Sequence, residues 1–159
     1  MYKIVLEKQK LNFSAAHFIT FEDECETLHG HNYYTTIEIT GKPDENSYLM
    51  DFKIVKNEMK KICDQLDHKF LLATENRHLE IKQTGTHYEV IFKSKSYMFP
   101  KEDVIPIPIP NTTVEMLSKY LCEELKNALN ERGYLANISS LEVGVEETAG
   151  QMASCRTDL

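Results

Sequence analysis

Alternation dominates the first forty residues. Residues 2–17 read as extended, and Leu11, Phe13, Ala15 and His17 share one parity, so His17 continues an apolar face. Residues 18–28 are loop-like and carry the acidic run Glu22-Asp23-Glu24. A second strand is predicted from His29 to about Thr40, with His29, His31, Tyr33, Thr35, Ile37 and Ile39 on one face. Gly41-Lys42-Pro43-Asp44 reads as a turn. The period then changes from strand-like to helical. Asp51 caps a helix through about Leu66, whose Val55, Met59, Ile62 and Leu66 are spaced 4, 3 and 4 apart.

Residues 73–110 are less regular. Three short candidate strands (79–83, 88–93, 96–99) are followed by Pro106-Ile107-Pro108-Ile109-Pro110, where the prolines forbid a helix and predict an extended connector. Thr112-Thr113-Val114-Glu115 reads as a capping box, with Thr112 as N-cap and Glu115 at the third helical position. The helix runs through Val114, Leu117, Leu121, Leu125 and Ala128 to about Arg132, and Gly133 stops it. A final strand covers 138–148. Strands with two interior helices predict an α+β domain, most simply an antiparallel sheet with both helices on one face. The whole chain, 1–159, reads as one domain with 73–110 as an insertion.

The alternation becomes chemistry at Cys25-Glu26-Thr27-Leu28-His29-Gly30-His31. With His17 upstream, this places three imidazoles on apolar-parity positions of two adjacent strands. A lone histidine is more often a hydrogen-bonded core or surface residue. Three co-facial ones match the three neutral nitrogen ligands of a catalytic zinc that keeps its fourth position open. Gly30 permits close backbone approach between the ligand positions. A free cysteine is most often a small buried hydrophobe, but Cys25 sits in a polar loop before the ligand strand. Its neighbours Glu22, Asp23, Glu24 and Glu26 disfavour a thiolate, so a reactive Cys25 needs a metal and a histidine to counter them. Glu26 reads as a solvated loop acid.

Asp67-His68 after the first helix can form an acid–base pair if it folds back toward Cys25. Glu147 shares parity with Leu141, Val143 and Val145, where a hydrophobe is expected. A carboxylate there is either frayed into solvent or paired with N–H donors of a ligand such as a pterin.

Composition narrows the class. A net charge of −7 over 159 residues argues against nucleic acid or an anionic membrane as the main partner, yet leaves room for a phosphorylated small substrate. The four cysteines are scattered without a Cys-x-x-Cys, as in a reduced, cytoplasmic protein. The N-terminal run has neither a signal-peptide core nor a membrane span.

These motifs in this order resemble the 6-pyruvoyl-tetrahydropterin synthase / 6-carboxytetrahydropterin synthase family: Phe13-Ser14-Ala15-Ala16-His17, Cys25-x3-His29-Gly30-His31-Asn32-Tyr33, Met50-Asp51-Phe52, Leu66-Asp67-His68, Thr112-Thr113 with Glu115, and Glu147-Thr148. The resemblance implies a tunnelling fold, a four-stranded antiparallel sheet with two helices on one side. Three subunits close a barrel and two trimers stack into a homohexamer. It implies Zn2+ on His17, His29 and His31, and Cys25 as proton-transfer residue. Asp67 and His68 would complete the relay from a neighbouring subunit. Glu147 would anchor the pterin, helped by Thr112 and Thr113. It implies a lyase acting on 7,8-dihydroneopterin triphosphate, with 6-carboxy-5,6,7,8-tetrahydropterin, a queuosine-type precursor, as the favoured product. The 6-pyruvoyl and 6-hydroxymethyl products follow, the last formed by relatives with glutamate in place of the cysteine, which makes Glu26 a candidate product-determining residue. The chain departs from the family at Lys69-Phe70-Leu71-Leu72-Ala73, where asparagine is common, at Thr112, where many members have proline, and in its longer 73–110 segment. From another class, a non-catalytic pterin- or zinc-binding module predicts binding without turnover. A zinc hydrolase lacks its usual ligand-plus-base motif.

Overall fold

A computed structural model describes residues 1–159, apart from the side chains of Lys8 and Gln9. Its first two strands, β1 (Tyr2–His17) and β2 (His29–Gly41), form a long antiparallel hairpin. The register slips between Glu7 and Asn12, with Lys10 in the left-handed region at φ 65°. That irregularity changes which parity faces inward. Leu6 is buried before it, and Leu11, Phe13 and Ala15 after it.

Helix α1 (Phe52–Leu66) begins at Asp51, whose carboxylate accepts from the Lys53 amide at 2.8 Å. Helix α2 (Val114–Glu131) is capped by Thr113, not Thr112: the Thr113 hydroxyl accepts from the Met116 amide. Glu115 therefore stands at the second helical position, and the predicted capping box does not form. The Thr112 hydroxyl is turned away from the helix, donating to the Phe18 carbonyl. Both helices cover one face of the sheet. Val55, Met59, Leu66, Leu117, Leu121 and Leu125 pack with Phe13, Tyr33, Ile37, Ile39, Val143 and Val145 in a single core.

The sheet is larger than the predicted four antiparallel strands. β3 (Lys69–Ala73), β7 (Val104–Ile107), β8 (Ile138–Thr148) and β9 (Gln151–Asp158) join the hairpin in the order β7-β3-β1-β2-β8-β9. The four antiparallel strands are β1, β2, β8 and β9, and two short strands run parallel to β1 at its other edge. β7 takes in the first two residues of the proline-rich connector, Pro106 and Ile107. Pro106 lies opposite Leu72 on an edge strand, where a missing amide hydrogen is tolerated. β9 escaped prediction because its sequence is mostly polar and its side chains are largely exposed.

The 73–110 insertion forms a separate three-stranded antiparallel sheet, β4 (Glu80–Gln83), β5 (His87–Phe92) and β6 (Lys95–Pro100). It packs through Val90, Tyr97 and Phe99 onto Phe18, Phe70, Leu72 and Val104. Strand β3 is thus buried on both sides, with Leu71 and Ala73 in the helix-side core and Phe70 and Leu72 beneath the added sheet. Burial on both faces explains its unbroken apolar run.

Candidate metal and active site

The hairpin register builds the centre. His17 pairs directly with His29, and Ala15 with His31, so three rings project from the inward face at one end of the sheet. Ring centroids are 4.7 Å apart for His17–His29, 5.2 Å for His17–His31 and 4.9 Å for His29–His31. One nitrogen from each ring lies within 4.8 Å of the others, a set that could hold a metal ion. Gly30 is needed for this approach: a Cβ there would stand 2.9 Å from the Ala15 carbonyl oxygen, closer than side chains tolerate.

Hydrogen bonds orient the rings. His17 Nδ1 lies 3.1 Å from the Thr112 carbonyl oxygen, and His29 Nδ1 lies 2.7 Å from that of Thr27. A carbonyl only accepts, so each Nδ1 carries the hydrogen and each Nε2 presents a lone pair. His17 Nε2 and His31 Nε2 are buried with no hydrogen-bond partner among the described residues. Orphaned imidazole nitrogens are costly inside a protein unless something binds them. Their convergence fits a borderline-soft divalent cation such as zinc. Burial, assisted by the neighbouring His29 and His31 rings and opposed by the Thr112 carbonyl, pushes the His17 pKa down to about 4. The ring therefore stays neutral at neutral pH, the form that ligates.

Two carboxylates flank the triad. Glu147 Oε1 is 3.2 Å from His31 Nε2, without the alignment of a hydrogen bond. It follows the apolar parity of β8 to the edge of the histidine cluster, rather than fraying into solvent. Glu26 is not the solvated loop acid expected from sequence. Its Oε2 accepts from the Ile19 amide at 3.0 Å and lies 3.9 Å from His29 Nε2.

The fold of the loop causes that inward turn. Residues 19–26 make a miniature hairpin, with Thr20 bridged to Cys25, the Glu26 amide donating to the Ile19 carbonyl, and the Phe21 amide donating to that of Glu24. Adjacent residues of an extended arm point to opposite sides. Cys25 accordingly packs against the aromatic cluster under the added sheet, and its thiol donates to the Glu26 carbonyl at 3.5 Å. Burial is the main cause that raises its pKa. Lys95 opposes the shift and Glu26 adds to it, whereas the acidic run at 22–24 is not among the causes.

Asp67 and His68 do pair, His68 Nδ1 lying 2.8 Å from Asp67 Oδ2. The Ser14 amide donates to Asp67 Oδ1, and together with His68 it holds the Asp67 carboxyl below the usual range. No hydrogen bond joins the pair to Cys25 among the described residues. The His68 side chain is 83% exposed and opens onto a groove whose lining includes Ser14, Asn32, His31 and Phe99. Thr113 is committed to capping α2. Thr112 is buried against His17 and Phe18 and serves the triad as a hydrogen-bond partner.

Two residues at the site gave no chemical signal in sequence. Tyr33 is fully buried with its ring against His17 and His31, and its hydroxyl has no partner among the described residues. Burial first, then Glu147 and Glu26, push its pKa upward. Its parity with His29 and His31 was the available clue. Lys95 donates to the carbonyls of Cys25 and Glu26 at 3.1 and 3.2 Å, from 70 and 69 residues away.

Residues 7–158 match the family described as 6-pyruvoyl tetrahydropterin synthase. A Methanocaldococcus jannaschii protein, provisionally named 6-carboxy-5,6,7,8-tetrahydropterin synthase, is 37% identical over 149 residues, covering 92% of this chain and 90% of that protein. The 6-carboxy-5,6,7,8-tetrahydropterin synthase of Aquifex aeolicus is 29% identical over 158 residues, covering 95% and 89%. The solved structure of Plasmodium vivax 6-pyruvoyltetrahydropterin synthase superposes with a TM-score of 0.95 at 30% identity, covering 99% of this chain and 98% of that one. A variant of the same protein, described as a catalytic-residue mutant with a glutamate replaced by alanine, superposes with the same TM-score.

Proposed function

The chain belongs to the 6-pyruvoyl tetrahydropterin synthase family, and from that premise we propose a zinc-dependent lyase that converts 7,8-dihydroneopterin triphosphate to 6-carboxy-5,6,7,8-tetrahydropterin. The product assignment follows the names carried by its relatives in Methanocaldococcus jannaschii and Aquifex aeolicus. The convergence of unpartnered imidazole nitrogens carries the metal assignment. His17, His29 and His31 hold the zinc, with Thr112 and Thr27 carbonyls fixing two of the rings. Bound there, zinc supplies a Lewis acid that acidifies the substrate carbons beside its side-chain hydroxyls. Glu147 takes the N–H groups of the pterin ring, with Thr112 and Thr113 helping through backbone groups. Cys25 and His68 move protons, and Asp67 holds the His68 ring through Nδ1. Because the His68 side chain is largely exposed, it is free to serve, with Asp67, the triad of a neighbouring subunit in a homohexamer. The deazapurine route of queuosine-type nucleosides is the proposed destination, in the cytoplasm.

A second reading rests on one observation. Glu26, and not Cys25, lies beside a triad ring. A carboxylate there can take the substrate proton directly and direct side-chain cleavage to 6-hydroxymethyl-dihydropterin. The Plasmodium vivax structure described with a replaced catalytic glutamate supports a glutamate in such a role.

Incubating the zinc-loaded protein with dihydroneopterin triphosphate and weighing the products separates the readings. A 6-carboxy product with acetaldehyde release supports the first, and a 6-hydroxymethyl product the second. Zinc and pterin binding without turnover would instead make the chain a binding module.

A further inference from the structure

The loop that presents Cys25 and Glu26 is held from two directions. Its first arm is tied to the main body of the fold. The Thr20 amide donates to Asn111 Oδ1, Asn111 Nδ2 donates back to the Thr20 carbonyl, and Asn76 Nδ2 donates to the Thr20 hydroxyl. Its second arm is gripped by the three-stranded sheet of residues 80–100. Lys95 Nζ lies on the Cys25 and Glu26 carbonyls, and Lys93 Nζ on the Asp23 carbonyl and carboxylate at 3.0 and 3.2 Å. Below these contacts Cys25 and Leu28 pack on the apolar cluster that includes Tyr97 and Phe99.

The backbone at the tip of that grip costs energy. Lys93 occupies the left-handed region at φ 52° in the tight turn between β5 and β6. Glycine or asparagine takes that conformation more cheaply. A lysine there brings a side chain that reaches the loop, which a glycine cannot do. Lys95, two residues on, is half-buried, and its ammonium spans two successive carbonyls. A single cation on two neighbouring carbonyls holds both peptide groups that flank Glu26. Their orientation sets the direction in which the Glu26 side chain leaves the backbone.

We propose that the added sheet is a brace for the active-site loop, with Lys95 as a positioning residue that holds the Cys25–Glu26 peptide so that the Glu26 carboxylate faces the histidine centre. The proposal rests on the lyase reading above for its catalytic consequence, and on loop geometry alone for its structural one. Lys95 touches neither the metal ligands nor the space between them. Its effect passes through the placement of the loop, and misplacement of a reacting group by about an ångström can cost on the order of 100-fold in rate.

Lys95→Met keeps the aliphatic stem and removes the cation. In the zinc-loaded protein it is expected to lower kcat about 10- to 100-fold while KM for dihydroneopterin triphosphate changes less than about 3-fold. Lys95→Arg, which restores a cation, should return most of the lost kcat. Hydrogen exchange gives a readout that needs no turnover: the Glu26 amide, bonded to the Ile19 carbonyl, should exchange about 10-fold faster in Lys95→Met, with β2–β8 amides unchanged. Unchanged exchange at Glu26 overturns the brace, whatever the activity. Faster exchange with unchanged kcat overturns the positioning role, as does a kcat loss that arginine fails to rescue. Quickened exchange throughout the β2–β8 ladder overturns it in favour of general stability. An inactive wild-type protein sinks the lyase reading and leaves the brace to be judged by exchange.

Discussion

The histidine triad and the loop beside it are held by different means. The triad rests on a continuous antiparallel register, in which His17 faces His29 and Ala15 faces His31, so its geometry is fixed by neighbours on two paired strands. The loop rests on long-range contacts from Asn76, Lys93, Lys95 and Asn111. A histidine cluster built on paired strands is rigid, and Cys25 and Glu26, the groups proposed to move protons, are carried by a segment whose placement can be tuned separately. The difference predicts that changes in the hairpin act on metal binding and changes in the loop act on turnover.

The largest effect should come from the ligand set. Replacing His31 by alanine removes one of three nitrogens, and zinc affinity should fall by well over 100-fold, more than loss of an outer hydrogen-bond partner costs. Zinc content after dialysis against a competing chelator checks this. Near-stoichiometric zinc in that variant would detach His31 from the centre.

The loop should behave in the opposite way. Glu26→Gln and Cys25→Ala should both leave zinc content unchanged. If Glu26 is the base, its glutamine variant should lose about 100-fold or more in kcat while Cys25→Ala loses far less; the reverse order restores the cysteine to that role. Single-turnover kinetics with both variants rank the two groups.

Gly30→Ala tests how tightly the hairpin must close. The added methyl would press on the Ala15 carbonyl oxygen, and the expected cost is about 1–3 kcal/mol of stability by urea unfolding, with weakened zinc binding. A variant as stable as the parent would show that the strands have slack there.

The smallest effect concerns Asp67. Its folded pKa is depressed by the Ser14 amide and His68. The sign is therefore that of a stabilising carboxylate: the contribution is present above the unfolded pKa and is lost as pH falls through the folded one. Asp67→Asn should flatten the acid limb of the stability curve below the usual carboxylate range. The loss at neutral pH should be under about 1 kcal/mol, because the side chain is 39% exposed and solvent-screened. Unfolding followed from pH 7 down to the acid limb would show it, and identical acid limbs would remove Asp67 from the account.

How much was legible follows the same division. The three insertion strands, both helices and the β1–β2 hairpin could be read from local periodicity. Thr112 was misassigned as a cap because a threonine pair offers two equivalent hydroxyls, and only packing against His17 and Phe18 decides between them. The short parallel strands β3 and β7 were hidden because partners from distant parts of the chain define them.

The sequence by itself determined which histidines could meet, since a period of two puts His29 and His31 on one face and the matching parity of β1 brings His17 to them. It also put Glu147 at the parity of the apolar face of β8, leaving open whether the carboxylate met solvent or the site. Only the tertiary structure decided that Glu26 turns toward His29 while Cys25 turns under the added sheet, and that His68 opens onto a groove beside Ser14 and Asn32. Strand alternation is a local steric rule carried by each residue's own backbone. The direction of a loop side chain is set by contacts tens of residues away, which no local pattern encodes.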